Sequence, residues 1–172
     1  AAETSHKRYR AVAGAHPPVA GCIDHPLKRQ HDRYAGSATG DDQAAQAATT
    51  RFRRLATWEL PVAVDRYPSS RYALLELDPL TGRRHQLRRH LKHIAHPIIG
   101  DATYGKGRHN RLFTELFASQ RLLLACTRLR FDHPRHGTPV CIDAPLADDF
   151  AGLLARLASA AAPHANGAAG LP

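Results

Sequence analysis

The chain of 172 residues predicts an α+β fold, a mixed, largely antiparallel sheet with flanking helices. Strand-like segments with period-two alternation outnumber helical ones and are linked partly by turns. One stretch, Thr81 to Asp101, instead carries apolar residues at helical spacing and five Lys or Arg with four His around them.

In chain order, KRYRAVA (Lys7 to Ala13) alternates as a strand. Tyr9, Ala11 and Ala13 share one side, with Arg8, Arg10 and Val12 on the other. HPPVAG then turns the chain, and IDHPLKRQ is extended or looped, punctuated by Pro26. Residues 35–50 are small, polar and weakly patterned, which predicts a long surface loop. RFRRLATWEL (Arg51 to Leu60) is a strand that begins in a basic patch, and residues 61–70 form another loop. RYALLEL (Arg71 to Leu77) is the next strand, with Ala73, Leu75 and Leu77 on one face and Tyr72, Leu74 and Glu76 on the other.

The basic helix follows. Leu87, Leu91, Ile94 and Ile98 define its inner face, and Arg84 to Arg89, Lys92, His93 and His96 mostly take the outer one. Thr81 and Gly82 supply its start, and Pro97 discourages continuation past His96. The glycines of IIGDATYGKGRHNR predict a loop, with a short helix over 112–118. QRLLLACTRLRF (Gln120 to Phe131) is an apolar strand that HPRHG turns into TPVCID, a hairpin. The last helix, 147–157, has Phe150, Leu153, Leu154 and Leu157 at helical spacing, with Asp148 and Asp149 in its first turn and Arg156 in its last. Residues 1–157 thus form one domain, and the Ala, Gly and Pro of 158–172 predict a disordered tail.

A net charge of +9 and a pI near 10.1 imply a polyanionic partner. Basic residues spread over several segments favour nucleic acid over an acidic membrane surface, and no apolar run reaches membrane-spanning length. In the helix, arginine outnumbers lysine and almost no acid is interleaved, which suits bidentate phosphate recognition better than mere solubility. Three widely spaced cysteines, Cys22, Cys126 and Cys141, argue against a disulfide framework and fit a reducing cytoplasm. There is no methionine, even at position 1, so the chain reads as part of something longer.

His90, His93 and His96 recur every third residue, yet HExxH spacing and an orienting carboxylate are missing, so zinc is not expected. No serine lies in a GxSxG elbow, and YGKGRHN lacks phosphate-loop or dinucleotide spacing, so neither ATP nor NAD is implied.

TGRRHQLRRH followed by HPIIGDATYG resembles the TGRxHQIRxH and HPIxGDxxYG signature of the RluA-type pseudouridine synthases. KRYRAVAG is similar to their KxYxAxVxG element, and RLLLACTRLRFDHPRHGTPVCIDAPLADDF to their closing segment. The matches run in order across about residues 7–150. Within the family, RRHLKHIAHPIIGDATYGKGRHNR is closest to the branch that modifies a uridine of the tRNA T-stem.

The resemblance implies a pseudouridine synthase catalytic domain, incomplete at its N-terminus, that flips a uridine, attacks it with an aspartate and rejoins the base through carbon. It implies RNA, tRNA above all, as partner, a full-length monomer, and neither cofactor nor metal. Tyr9 matches the tyrosine that stacks on the base and helps take its C5 proton, and Arg88 the arginine paired to the nucleophile. Arg83, Arg84, Arg89 and Lys92 would serve phosphates, with Arg51 and Arg53 as further RNA contacts, and His85 and Gln86 would shape the site. Two departures stand out. Ala125 replaces a usual histidine, and the RLDxxTSG motif that carries the nucleophile is absent. The chain alone is therefore expected to be inactive and, lacking strands before Lys7, to present an unpaired sheet edge. The rival reading is a non-catalytic RNA-binding module that keeps the basic cleft.

Overall fold

The computed structural model describes residues 5–29 and 44–161. Among the described residues, six strands form a single sheet: β1 (His6–Gly14), β2 (Ala20–Asp24), β3 (Thr49–Leu60), β4 (Ser70–Pro79), β5 (Leu124–Asp132) and β6 (Pro139–Asp143), in the order β2-β3-β4-β1-β5-β6. The α+β class holds, and every strand pairing is antiparallel, so the sheet is not mixed among the described residues. Three helices flank it: α1 (Gln86–His93), α2 (Gly107–Phe117) and α3 (Asp148–Ala160).

Strand alternation divides the core in two. Ala11, Ala13, Ala73, Leu75 and Leu77 pack with Leu87, Leu91 and Ile98 under α1. Val12, Tyr72 and Leu74, their immediate neighbours in sequence, join the cluster formed by Phe113 and Phe117 of α2 and Phe150, Leu153 and Leu157 of α3. The two-sided reading of Tyr72 to Leu77 is therefore the layering of the molecule. Small alanines of β1 and β4 line the α1 side of the sheet, whereas aromatic rings of α2 and α3 fill the opposite side.

Several boundaries differ from the sequence reading. β1 is not an edge: it pairs with β4 on one side and β5 on the other, and β2 and β6 are the outer strands. β2 begins inside the predicted HPPVAG turn, at Ala20, and ends in the segment predicted to be extended or looped, and Leu27 bridges Gln46 across the gap in the described chain. Of the predicted loop 35–50, residues 35–43 lie outside the described residues, Ala48 is buried, and Thr49 and Thr50 already belong to β3. α1 starts at Gln86, not at Thr81, because His85 takes a left-handed backbone (φ 54°) that a continuous helix excludes. α2 begins five residues before the predicted 112; Asp65, near Lys106, Arg108 and His109, places a negative charge at its start. α3 runs to Ala160, three residues past the predicted limit, and residues 162–172 of the predicted tail lie outside the described residues. No described helix is long and apolar enough to cross a membrane.

Candidate active site

A cleft of about 360 Å³ opens between the start of β1, the β4–α1 connection and the first turn of α1. Lys7, Tyr9, Arg83, His85 and Arg88 line it, with Leu80, Leu87 and Leu124 as its apolar surfaces. Tyr9 stands where the β1–β5 register shifts: Arg8 faces Arg128, but Tyr9 faces Cys126. The bulge this creates bends the strand beside the cleft, a common way to aim a side chain. Burial, reinforced by Cys126, raises the Tyr9 hydroxyl above the ordinary tyrosine value, so it is a neutral phenol at physiological pH.

Arg88 is braced from behind. Its Nε donates to Asp101 Oδ2 and its Nη2 to Asp101 Oδ1, both at 2.7 Å. Asp101 has a fully buried side chain and also accepts the backbone N–H groups of Thr103 (2.9 Å) and Tyr104 (2.8 Å). Burial alone would raise the Asp101 carboxyl, but Arg88 and the two N–H groups outweigh it and hold it below the usual carboxylate value. The guanidinium also lies over the Tyr104 ring, 4.9 Å from its centroid. Two donors of the fork are thus committed to the protein, and Nη1 has no hydrogen-bond partner among the described residues. A bidentate, stacked arginine can turn that remaining corner toward an anion without losing its orientation.

A directional chain of hydrogen bonds seats α1 on β3. Gln86 Oε1 accepts from Thr81 Oγ1 (2.8 Å) and the Arg83 N–H (3.0 Å), while its Nε2 donates to Thr49 O and Thr50 Oγ1 (both 3.0 Å). His90 Nε2 faces a carbonyl, His25 O at 3.0 Å, so it carries the proton and Nδ1 accepts from Thr50 Oγ1. Burial lowers the His90 pKa and keeps the ring neutral. The three regularly spaced histidines therefore diverge. His90 is fully buried, the structural packing that is one of its expected roles; His93 stacks on His25 at 3.7 Å; His96 hydrogen-bonds Gly14 O.

The predicted site residues separate accordingly. Tyr9, Arg83, His85, Gln86 and Arg88 meet at the cleft, although the amide of Gln86 is spent within the hydrogen-bond chain. Arg83 also donates to Ala47 O, and Arg89 to Lys28 O. Arg84 and Lys92 are exposed, with Lys92 5.7 Å from the centroid of the Tyr104 ring. Burial, then the Arg88 and Arg84 charges, lowers the His85 pKa, so a neutral imidazole stands among the cations.

Arg51 and Arg53 do not join them. Phe52 packs in the α1-side core, so its neighbours emerge on the opposite sheet face, where Arg53 pairs with Glu76. Lys7, Asp101 and Tyr104 are site residues that the sequence reading quoted in motifs but gave no role. Among the described residues, no carboxylate lines the cleft.

The cleft thus sets an aromatic ring and a braced guanidinium among cations at one end of an antiparallel sheet. The chain belongs to the RNA pseudouridylate synthase family, whose family model matches residues 1–93. It is 46% identical over 150 residues to tRNA pseudouridine synthase C of Vibrio cholerae, covering 87% of this chain and 62% of that protein. The Salmonella typhi tRNA pseudouridine synthase C is 44% identical over 150 residues, with 87% of this chain and 58% of that protein covered. The chain thus spans about three fifths of these relatives. The structure of Human RNA Pseudouridylate Synthase Domain Containing 1 superposes with a TM-score of 0.61 at 25% identity, over 88% of this chain and 59% of that one.

Proposed function

We propose that this chain forms the base-binding part of an enzyme that converts a uridine of tRNA, in the T-stem, to pseudouridine. The observation that carries the reading is the meeting of Tyr9 and Arg88 at one cleft, with Asp101 fixing the arginine from behind. The uridine leaves its stack and lies against Tyr9. An aspartate carboxylate approaches the Nη1 corner of Arg88, which holds it ionised and aimed. The bond from sugar to base nitrogen breaks, the base rejoins through C5, and the C5 proton leaves, with Tyr9 beside it. Arg83, Arg84 and Lys92 hold phosphates, and no step needs a metal or cofactor.

The cleft carries no carboxylate among the described residues, and Asp101 is buried and fully engaged, so neither can supply the attack. The same observation supports the second reading, a non-catalytic RNA-binding module. Tritium release from tRNA labelled at uridine C5 separates them. The 172-residue chain should bind tRNA with a steep salt dependence and release no tritium. A polypeptide in which a segment with the Arg-Leu-Asp element precedes this chain should release it, and Arg88→Lys should stop release while leaving tRNA affinity within about threefold. Turnover by the isolated chain would overturn the missing-nucleophile claim. Silence of the extended polypeptide would favour the binder.

A further inference from the structure

A second pocket, of about 510 Å³, lies beyond the C-terminal end of α1, with Gly14, Pro97 and Ile99 as its floor. We infer that it takes a second nucleobase of the same RNA strand, one that carries an exocyclic amino group, and so reads sequence beside the modified uridine. The inference rests on the RNA-directed reading above.

The pocket is built, not incidental. Tyr72, fully buried, places its hydroxyl 2.8 Å from His109 Nδ1, and His109 Nε2 lies 3.1 Å from Asp65 Oδ2. Because Nε2 faces a carboxylate it is the protonated nitrogen, and Nδ1 accepts from Tyr72. This relay fixes the wall made by residues 65–69 against α2. Glu59, which accepts from Ser69 and from Arg71 (3.2 Å), stands on the other side. Two carboxylates at the walls supply acceptors, the chemistry that recognises a base amino group, whereas uracil offers them only its N3–H, flanked by two carbonyl oxygens that a carboxylate repels.

The rim supplies what a nucleotide needs besides. Tyr67 is 57% exposed, with the Arg66 guanidinium 4.8 Å from its ring centroid, an aromatic platform for stacking. Lys106 and Arg71 line the mouth and offer positive charge to a phosphate.

Position ties the pocket to the cleft. α1 has eight residues, a length of ~12 Å, with Arg88 at the cleft and Ala95 and Pro97 past its end at the pocket. Between them run Lys92 and Tyr104, and Lys106 follows Tyr104 by two residues. The intervening Gly105 packs so tightly that a Cβ would meet Asp101 O at 2.3 Å, which holds Lys106 in fixed relation to the Arg88 brace. The ~12 Å of α1 matches about three nucleotides at duplex spacing, with Lys92 and Lys106 as cations for the phosphates between.

The test is an NMR titration of the isotope-labelled full chain with the four ribonucleoside 5′-monophosphates and with a short mixed-sequence oligoribonucleotide. At millimolar concentration CMP, AMP or GMP should shift the amides of Ala15, Tyr67, Ser69 and Lys106. UMP should leave them in place and shift only those near Tyr9 and Leu124. The oligoribonucleotide should move both sets. Tyr67→Ala should weaken monophosphate binding at the pocket about tenfold, with the thermal midpoint and the cleft shifts unchanged. The inference fails if no monophosphate moves the pocket amides, if UMP binds there as well as CMP, or if Tyr67→Ala changes nothing. A pocket that responds to monophosphates but not to the oligoribonucleotide takes a free nucleotide and overturns the RNA assignment. Absence of tritium release by the polypeptide extended with the Arg-Leu-Asp segment, with the pocket shifts intact, would instead count against the catalytic reading alone.

Discussion

Asp101 binds Arg88 through both oxygens, accepts two backbone N–H groups, and has no exposure to water. Removing one partner of such a pair leaves the other charge buried, at a cost of about 3–5 kcal/mol. Asp101→Asn should therefore lower the urea midpoint sharply at neutral pH. Its folded pKa is depressed below the unfolded value of about 3.9, so its stabilisation is complete above that value and is lost as pH falls through the folded pKa. Between pH 5 and pH 2 the variant should then show a shallower fall in stability than the parent chain; equal slopes would refute the brace. Thr50→Val preserves shape but strands His90 Nδ1 and one donor of Gln86, and should cost about 1–3 kcal/mol by the same measurement. Little of this was legible in the sequence. An aspartate between glycine and alanine reads as a turn residue, and its arginine lies 13 positions away. The apolar residues of α1 were legible because spacing alone assigns them. The buried position of His90 was not legible, because a charge-rich helix hides which of its polar residues has found a partner.

At the scale of elements, periodicity was a sound guide to the strand and helix interiors and a poor one to their ends. Tyr72 to Leu77 alternates across two packed faces, which any half-buried strand must do. The start of α1 was misjudged because no spacing rule encodes the left-handed His85, which hydrogen-bonds Tyr104 at 3.2 Å from the next loop. The start of α2 was misjudged because glycines suggested a loop where Asn110 ties the turn instead, donating to Asp101 O and accepting from the Gly100 N–H. Gly100 itself adopts φ +79°, and a Cβ there would sit 1.8 Å from Arg121 O. Gly100→Ala should destabilise the chain by about 2–4 kcal/mol, since backbone strain and overpacking act together. Gly107→Ala, with nothing within 4 Å of the new carbon, should be nearly neutral. Thermal midpoints of the two variants, compared side by side, decide whether that turn is as rigid as its geometry implies.

Across the whole molecule, the sheet separates two kinds of basic residue. Cations that share a face with Tyr9 converge on the cleft, whereas Arg8, Arg53 and Arg128 on the other face pair with Glu76, Asp78 and Asp143. Composition alone cannot separate them, because net charge carries no information about sides. The placement of β1 has a different consequence, one of timing. Its partners begin at Ser70 and Leu124, so during synthesis the first strand must wait for its second neighbour until more than a hundred further residues have been made. At ribosomal speed that delay is on the order of ten seconds. Nascent chains stalled before Leu124 should be cut by protease within β1, and those released after Asp132 should resist; equal resistance would mean that a stand-in, such as a chaperone or a non-native strand, occupies the vacant slot.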